Sequence, residues 1–192
     1  YPRLREIAEK KSMPEDNRVR YEMLKRLGFF VTESSEHFSE YTPWFIKRDR
    51  PDLIDEFNIP LDEYITRCEK QISEWDEQRI NLENKNQSIE VCQSHEYAAS
   101  IINGLENDKE GTINGNVSND GLIDNLPGNI SVEVPCIINR NGIHPVKVGI
   151  IPTHLAALMM TNINVQQLTV EAALSGEKKH VYHAAMLDPH TA

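Results

Sequence analysis

The chain has 192 residues, 39% of them hydrophobic and 26% charged, enough for one full-sized domain with a buried core. Acids outnumber bases 30 to 20 and the net charge is −10, with no basic stripe for a phosphate backbone, which argues against nucleic acid as a partner. No run approaches the ~18 apolar residues that cross a bilayer, and Cys68, Cys92 and Cys136 lie too far apart for a disulfide framework or a zinc site, which fits a reducing cytoplasm.

The chain opens "YPRLREIAEK" in mid-phrase and closes "LDPHTA" just after a helical pattern, so it reads as a piece of a longer protein. Asn17 to Leu27 has apolar residues at helical spacing and stops at Gly28, a C-terminal cap. "FFV" at 29–31 reads as a short buried strand or a turn. After Pro60, the residues Leu61, Tyr64, Ile65, Cys68, Ile72 and Trp75 recur at three, four and seven, which predicts an amphipathic helix packed against a neighbour. Ser94 precedes a second helix, "HEYAASIINGLE", and "ENDKEGTINGN" reads as a polar break.

Period two follows. Ile130, Val132, Val134 and Cys136 alternate with polar residues, Pro135 suggests a sheet edge or a bulge, and Asn141-Gly142 signals a turn. Val146, Val148 and Ile150 then alternate as the second arm of an antiparallel hairpin. From Thr153 the helical pattern returns, with Ile150 to Met160 as core material. The fold class is α+β.

Candidate chemistry begins with "TESSEHFSEYTPWF", residues 32–45. If the segment is helical, Glu36 and Glu40 share a face, as do His37 and Tyr41; if it is extended, His37 and Tyr41 align with Ser35 and Ser39. It is either a polar loop or helix face, or a general base among hydroxyl partners. "NVSNDGLIDNLPG", 116–128, is either a turn-forming loop or a set of amides and carboxylates suited to sugar hydroxyls. His180 and His183 are three apart but lack a third ligand, and Met159-Met160 reads as core. There is no GxGxxG, P-loop or GxSxG.

Several blocks in order resemble glycoside hydrolase family four, nearest to its α-galactosidases: "RYEMLKRLGFFVTESSEHFSEYTPWFIK", "INGNVSNDGLIDNLPGNISVEVPC", "NGIHPVKVGIIPTHLAALMMTNINVQQLTVEAAL" and "VYHAAMLDPHTA". The resemblance runs from about Asn17 to the end and is weakest over 65–90. It implies a lactate/malate-dehydrogenase-like C-terminal domain over 1–192, with antiparallel hairpins against helices. The family's N-terminal Rossmann domain, with its NAD-binding turn and its metal-binding Cys and His, precedes this region. The implied enzyme hydrolyses α-galactosides such as melibiose with NAD and a divalent metal, typically manganese. It does so by oxidation at carbon-3, proton abstraction at carbon-2 and elimination, an exception to two-carboxylate hydrolysis.

Residue by residue, the resemblance puts Glu36 opposite the family's Tyr base of a "YLxYY" segment, as the carbon-2 base, with His37 as the alternate. Glu40 and Tyr41 become substrate neighbours. Asn119 and Asp120 fall to substrate, and Asn119 and Gly121 to cofactor, on the family's "N-x-G-x-I" segment. No metal ligand is expected in this chain. Only Lys47, Arg48 and Arg50 follow Trp44, which favours an unphosphorylated sugar. The implied partners are a sugar and copies of itself, without nucleic acid or membrane. The alternatives are a phospho-glycosidase of the same family, a structural and oligomerisation domain inactive by itself, and an unrelated sugar-binding module.

Overall fold

A computed structural model describes residues 1–10, 12–84, 92, 94 and 96–191. The chain divides into two compact units, Tyr1–Ser94 and His95–Ala192.

The first unit is helical. Helix α1 spans Pro2–Glu9, and a 3-10 turn at Glu15–Asn17 leads into α2, Arg18–Leu27. As expected, Gly28 ends α2: it sits at φ 81° and its N–H donates to Leu24 O, a left-handed cap that a Cβ would strain. Residues 29–31 are a bend followed by irregular backbone, with Phe29 exposed, so the buried strand read from "FFV" is not adopted. Short helices α3, Ser35–Tyr41, and α4, Asp52–Glu56, follow. Val19, Met23, Phe45 and Ile59 form the main core of this unit, flanked by Phe38, Ile54 and Phe57. Ala8, Tyr21 and Leu24 make a smaller cluster in which Tyr21 and Phe30 meet edge to face at 5.2 Å.

Helix α5, Glu63–Glu83, begins where the sequence predicts, but none of its 21 residues is buried. Its apolar residues face solvent: Ile65, Ile72, Trp75 and Leu82 are all exposed. The expected packing against a neighbour is not met among the described residues.

In the second unit, α6 spans Ala98–Asn107; the predicted start at His95 lies outside the described residues. Three antiparallel strands follow in the order β1-β2-β3: β1 Gly111–Ser118, β2 Ser131–Asn139 and β3 Gly142–Pro145. The polar break expected over 106–116 is therefore strand from Gly111 onward. In β1, Ile113 and Val117 turn inward while Thr112, Asn114 and Asn116 face out, and all eight residues pair with β2, from Gly111↔Ile138 to Ser118↔Ser131. Two glycines and two asparagines hide that alternation from a propensity reading.

Strand β2 follows its predicted alternation, with Val132, Val134, Cys136 and Ile138 buried. Each such aliphatic side chain contributes about 1.5–3 kcal/mol by leaving water. Contrary to the edge expectation, β2 is the central strand. Pro135 is tolerated there because its missing N–H falls where β3 has ended: the last register pair is Cys136↔Pro145, and Pro135 O accepts from Val146 N at 2.8 Å.

A hairpin forms, but its second arm is Gly142–Pro145 and includes none of the predicted 146–150, with Arg140 and Asn141 as the two-residue loop. Residues 146–150 leave the sheet; Ile123 and Gly149 form a parallel bridge, and Ile150 is 78% exposed. Helices α7, Thr153–Ser175, and α8, Lys178–Leu187, then form a helical hairpin through Gly176. Ala156 and Met160 meet the sheet core, whereas Met159, expected inside, is exposed.

Candidate active site

Helix α3 carries the first cluster. Ser34 Oγ caps it by accepting from the His37 N–H at 3.1 Å, so of the two readings the helical one holds, over Ser35–Tyr41. Two hydroxyls of its inward face are satisfied by the helix itself: Ser39 Oγ donates to Ser35 O and Thr42 Oγ1 to Phe38 O. Ser35 Oγ is buried without a partner. Phe38 anchors the helix through ring contacts with Phe45 and Trp44.

The opposite arc brings Glu36, His37 and Glu40 together, with one ligand atom from each within 4.8 Å of the others. The Glu36 side chain is only 13% exposed, and the Arg67 guanidinium of α5 stands 3.9 Å from its Oε2. His37 Nδ1–H donates to Glu40 Oε2 at 2.9 Å. That bond holds the imidazole above its ordinary pKa, helped by the nearby charges of Glu36 and Glu33 and opposed by partial burial. The Tyr41 ring lies 6.4 Å from the His37 ring, centroid to centroid. The cluster offers a sheltered carboxylate next to an imidazole oriented by a second carboxylate, a set able to accept and pass a proton.

The same three residues are the set of metal-donor type found among the described residues. They fit a divalent cation poorly, because His37 Nδ1 is spent on Glu40 and a guanidinium faces Glu36. His180 and His183 form no such set; His180 Nδ1 instead approaches Glu171 across the α7–α8 hairpin at 3.3 Å. All three cysteines are free thiols.

Asn119, Asp120 and Gly121 belong to the second unit. Asn119 is 1% exposed, and its amide organises the loop after β1. Its Nδ2 donates to Ile123 O, Leu126 O and Pro127 O, while its Oδ1 accepts from the Ile123 N–H at 2.7 Å. Both of its donors are thereby consumed inside the protein. Asp120 and Gly121, next to it, are exposed. Gly121 has φ 72°, and an added Cβ would meet nothing within 4 Å, so the loop alone makes no close cradle for a pyrophosphate. Asn125 ties the far side down by exchanging two hydrogen bonds with Ile151.

Two features escaped the sequence reading. Arg67 reaches Glu36 only through tertiary structure, and no spacing signals it. The closed hydrogen-bond set of Asn119 is foreshadowed only by its neighbours Asp120 and Gly121, which favour a turn.

Residues 1–191 match the family 4 glycosyl hydrolase C-terminal domain. The chain is 48% identical over its whole length to an α-galactosidase of Bacillus subtilis, and spans 44% of that protein. Its fold is similar to that of a Bacillus subtilis protein named as a glucosidase, lplD, with TM-score 0.75 and 22% identity, covering 90% of this chain and 39% of that one. It is also similar to a Thermotoga maritima 6-phospho-β-glucosidase solved with manganese, NAD+ and glucose-6-phosphate, with TM-score 0.62 and 21% identity, covering 97% of this chain and 42% of that one. The mixed helical and antiparallel fold, and the match over nearly every residue, lead to one conclusion: the chain belongs to the family 4 glycosyl hydrolases, as their C-terminal domain.

Proposed function

We propose that the intact protein is an NAD- and metal-dependent α-galactosidase, and that residues 1–192 are its substrate-side and oligomerisation domain, the Rossmann domain lying outside this chain. Identity of 48% to an α-galactosidase over the full chain supports the sugar class. One observation carries the role of this domain: a carboxylate, Glu36, sheltered on α3 beside the His37–Glu40 pair. Bound NAD and manganese would supply reversible oxidation at sugar carbon-3 and Lewis acidity. In this reading both are held mainly by residues outside the chain.

Glu36 accepts the carbon-2 proton, whose acidity a neighbouring carbonyl raises enough for one modest base. Arg67 keeps that carboxylate in place. His37 stands as the alternate base, and Glu40 and Tyr41 present polar atoms to the sugar. In the second unit, Asn119 shapes the loop, and Asp120 and Gly121 are assigned to sugar and cofactor. The protein is read as cytoplasmic and as a homo-oligomer.

The test uses the intact enzyme with melibiose, NAD and manganese in heavy water. Galactose released with deuterium at carbon-2 is the expected result, and Glu36→Gln should lower turnover by at least 100-fold, the scale of a lost general base. Galactose without deuterium there removes the need for a base and sinks this role. An unphosphorylated substrate is favoured because Arg50 is engaged by Asp52 at 2.7 and 2.9 Å rather than free for a phosphate. Preferential hydrolysis of a chromogenic galactoside 6-phosphate over the galactoside would reverse that choice.

A further inference from the structure

Helix α5 keeps a strict heptad on its exposed side. Ile65, Cys68, Ile72, Trp75, Arg79 and Leu82 alternate steps of three and four, which places Ile65, Ile72 and Arg79 at a and Cys68, Trp75 and Leu82 at d. The flanks are equally regular. Position e is a carboxylate each time, Glu69, Asp76 and Glu83, and position g is a neutral hydrogen-bond donor each time, Tyr64, Gln71 and Gln78. The polar back of the helix is where Arg67 turns toward Glu36, so the seam points away from the candidate active site.

We propose that this seam is an interface with a second copy of the same chain, a parallel, in-register, two-stranded coiled coil about the α5 pair. Three features select that occupant. β-branched isoleucine at two of the three a positions, with leucine at d in the last heptad, is the pattern that favours two strands in parallel. In parallel register each g residue faces the e residue five positions on in the partner, so all three contacts match a donor with a carboxylate: 64 to 69, 71 to 76 and 78 to 83. An antiparallel pair would instead set the acidic e columns against each other. Arg79 is the single charged a residue, paired with Asp76 of its own helix at 3.4 Å, and a lone polar a position of this kind fixes register at a cost in stability.

Cys68, at d and partly accessible, reports the geometry directly. In a parallel in-register pair the two Cys68 side chains face each other across the seam, and a Cys68–Cys68 disulfide can only join two chains. The intact protein is oxidised with copper-phenanthroline and the disulfides are mapped by mass spectrometry, alongside sedimentation analysis of its mass. The expected result is a dominant Cys68–Cys68 linkage, lost at least tenfold in Ile72→Glu together with a fall in assembly mass. Ser73→Glu, on the back of the helix, should change neither. Ile72 is 74% exposed, so its replacement does not threaten the fold itself. Absence of the Cys68–Cys68 linkage, or an assembly mass indifferent to Ile72→Glu, overturns the proposal; either would mean that another segment, an antiparallel copy or a foreign helix covers the seam.

Discussion

At His37 one hydrogen bond does most to favour the charged ring. Its Nδ1 donates to Glu40 at 2.9 Å, and that partner is the largest cause of the raised imidazole pKa. A histidine raised by its fold stabilises the protein fully below its unfolded-state pKa and loses that contribution as pH rises through the folded one. Both side chains are partly in water, so the pair is worth about 0.5 kcal/mol or less and its interest lies in proton handling. Glu40→Gln should bring the His37 midpoint down toward the ordinary histidine value in an NMR titration of the ring protons. An unmoved midpoint would assign the shift to Glu36 and Glu33 instead. The carboxylates and histidine of this site were legible because i, i+3 and i, i+4 spacing survives folding into a short helix. Arg67 was not, since its approach to Glu36 depends on where α5 leaves the turn after Ile59.

Among the elements, those whose pattern is repeated by a cap or a period were readable from sequence. Helix α2 ends at its glycine and β2 buries every second residue, both as expected. Strand β1 was not readable, because its pairing comes from β2 and its own residues prefer turns. Helix α6 rests on the same strand through a close contact: a Cβ built on Gly104 would sit 2.7 Å from Ile138 Cγ2 and 3.2 Å from Lys109 O. Replacing a helical glycine by alanine ordinarily gains about 1 kcal/mol. At this position overpacking of about 1–3 kcal/mol opposes the gain, so Gly104→Ala should lower stability in urea unfolding rather than raise it. A stabilised Gly104→Ala variant would mean that α6 can shift off the sheet at little cost.

On the scale of the whole molecule, one family domain is built as two compact units whose hydrophobic clusters share no residue. Met23 and Ile138, each almost wholly buried, anchor one cluster apiece. Truncation of either to alanine costs about 2–5 kcal/mol in a well-packed core. Hydrogen exchange should show Met23→Ala loosening residues of the first unit alone and Ile138→Ala those of the second. Loss of protection across both units in either variant would show that they unfold as one. Length and composition gave no hint of this division, since both clusters draw on the same apolar residue types.

The outer strands of the sheet carry one more consequence. An outermost strand offers its free backbone groups to any extended segment that drifts by, which is how sheets of separate molecules become glued into aggregates. Strand β3 is four residues long and ends on Pro145, which has no N–H to offer. Strand β1 includes two glycines, Gly111 and Gly115, whereas fibril-forming segments hold few. The glycines that help conceal β1 from a reader of the sequence also make it a poor template for a stranger's strand.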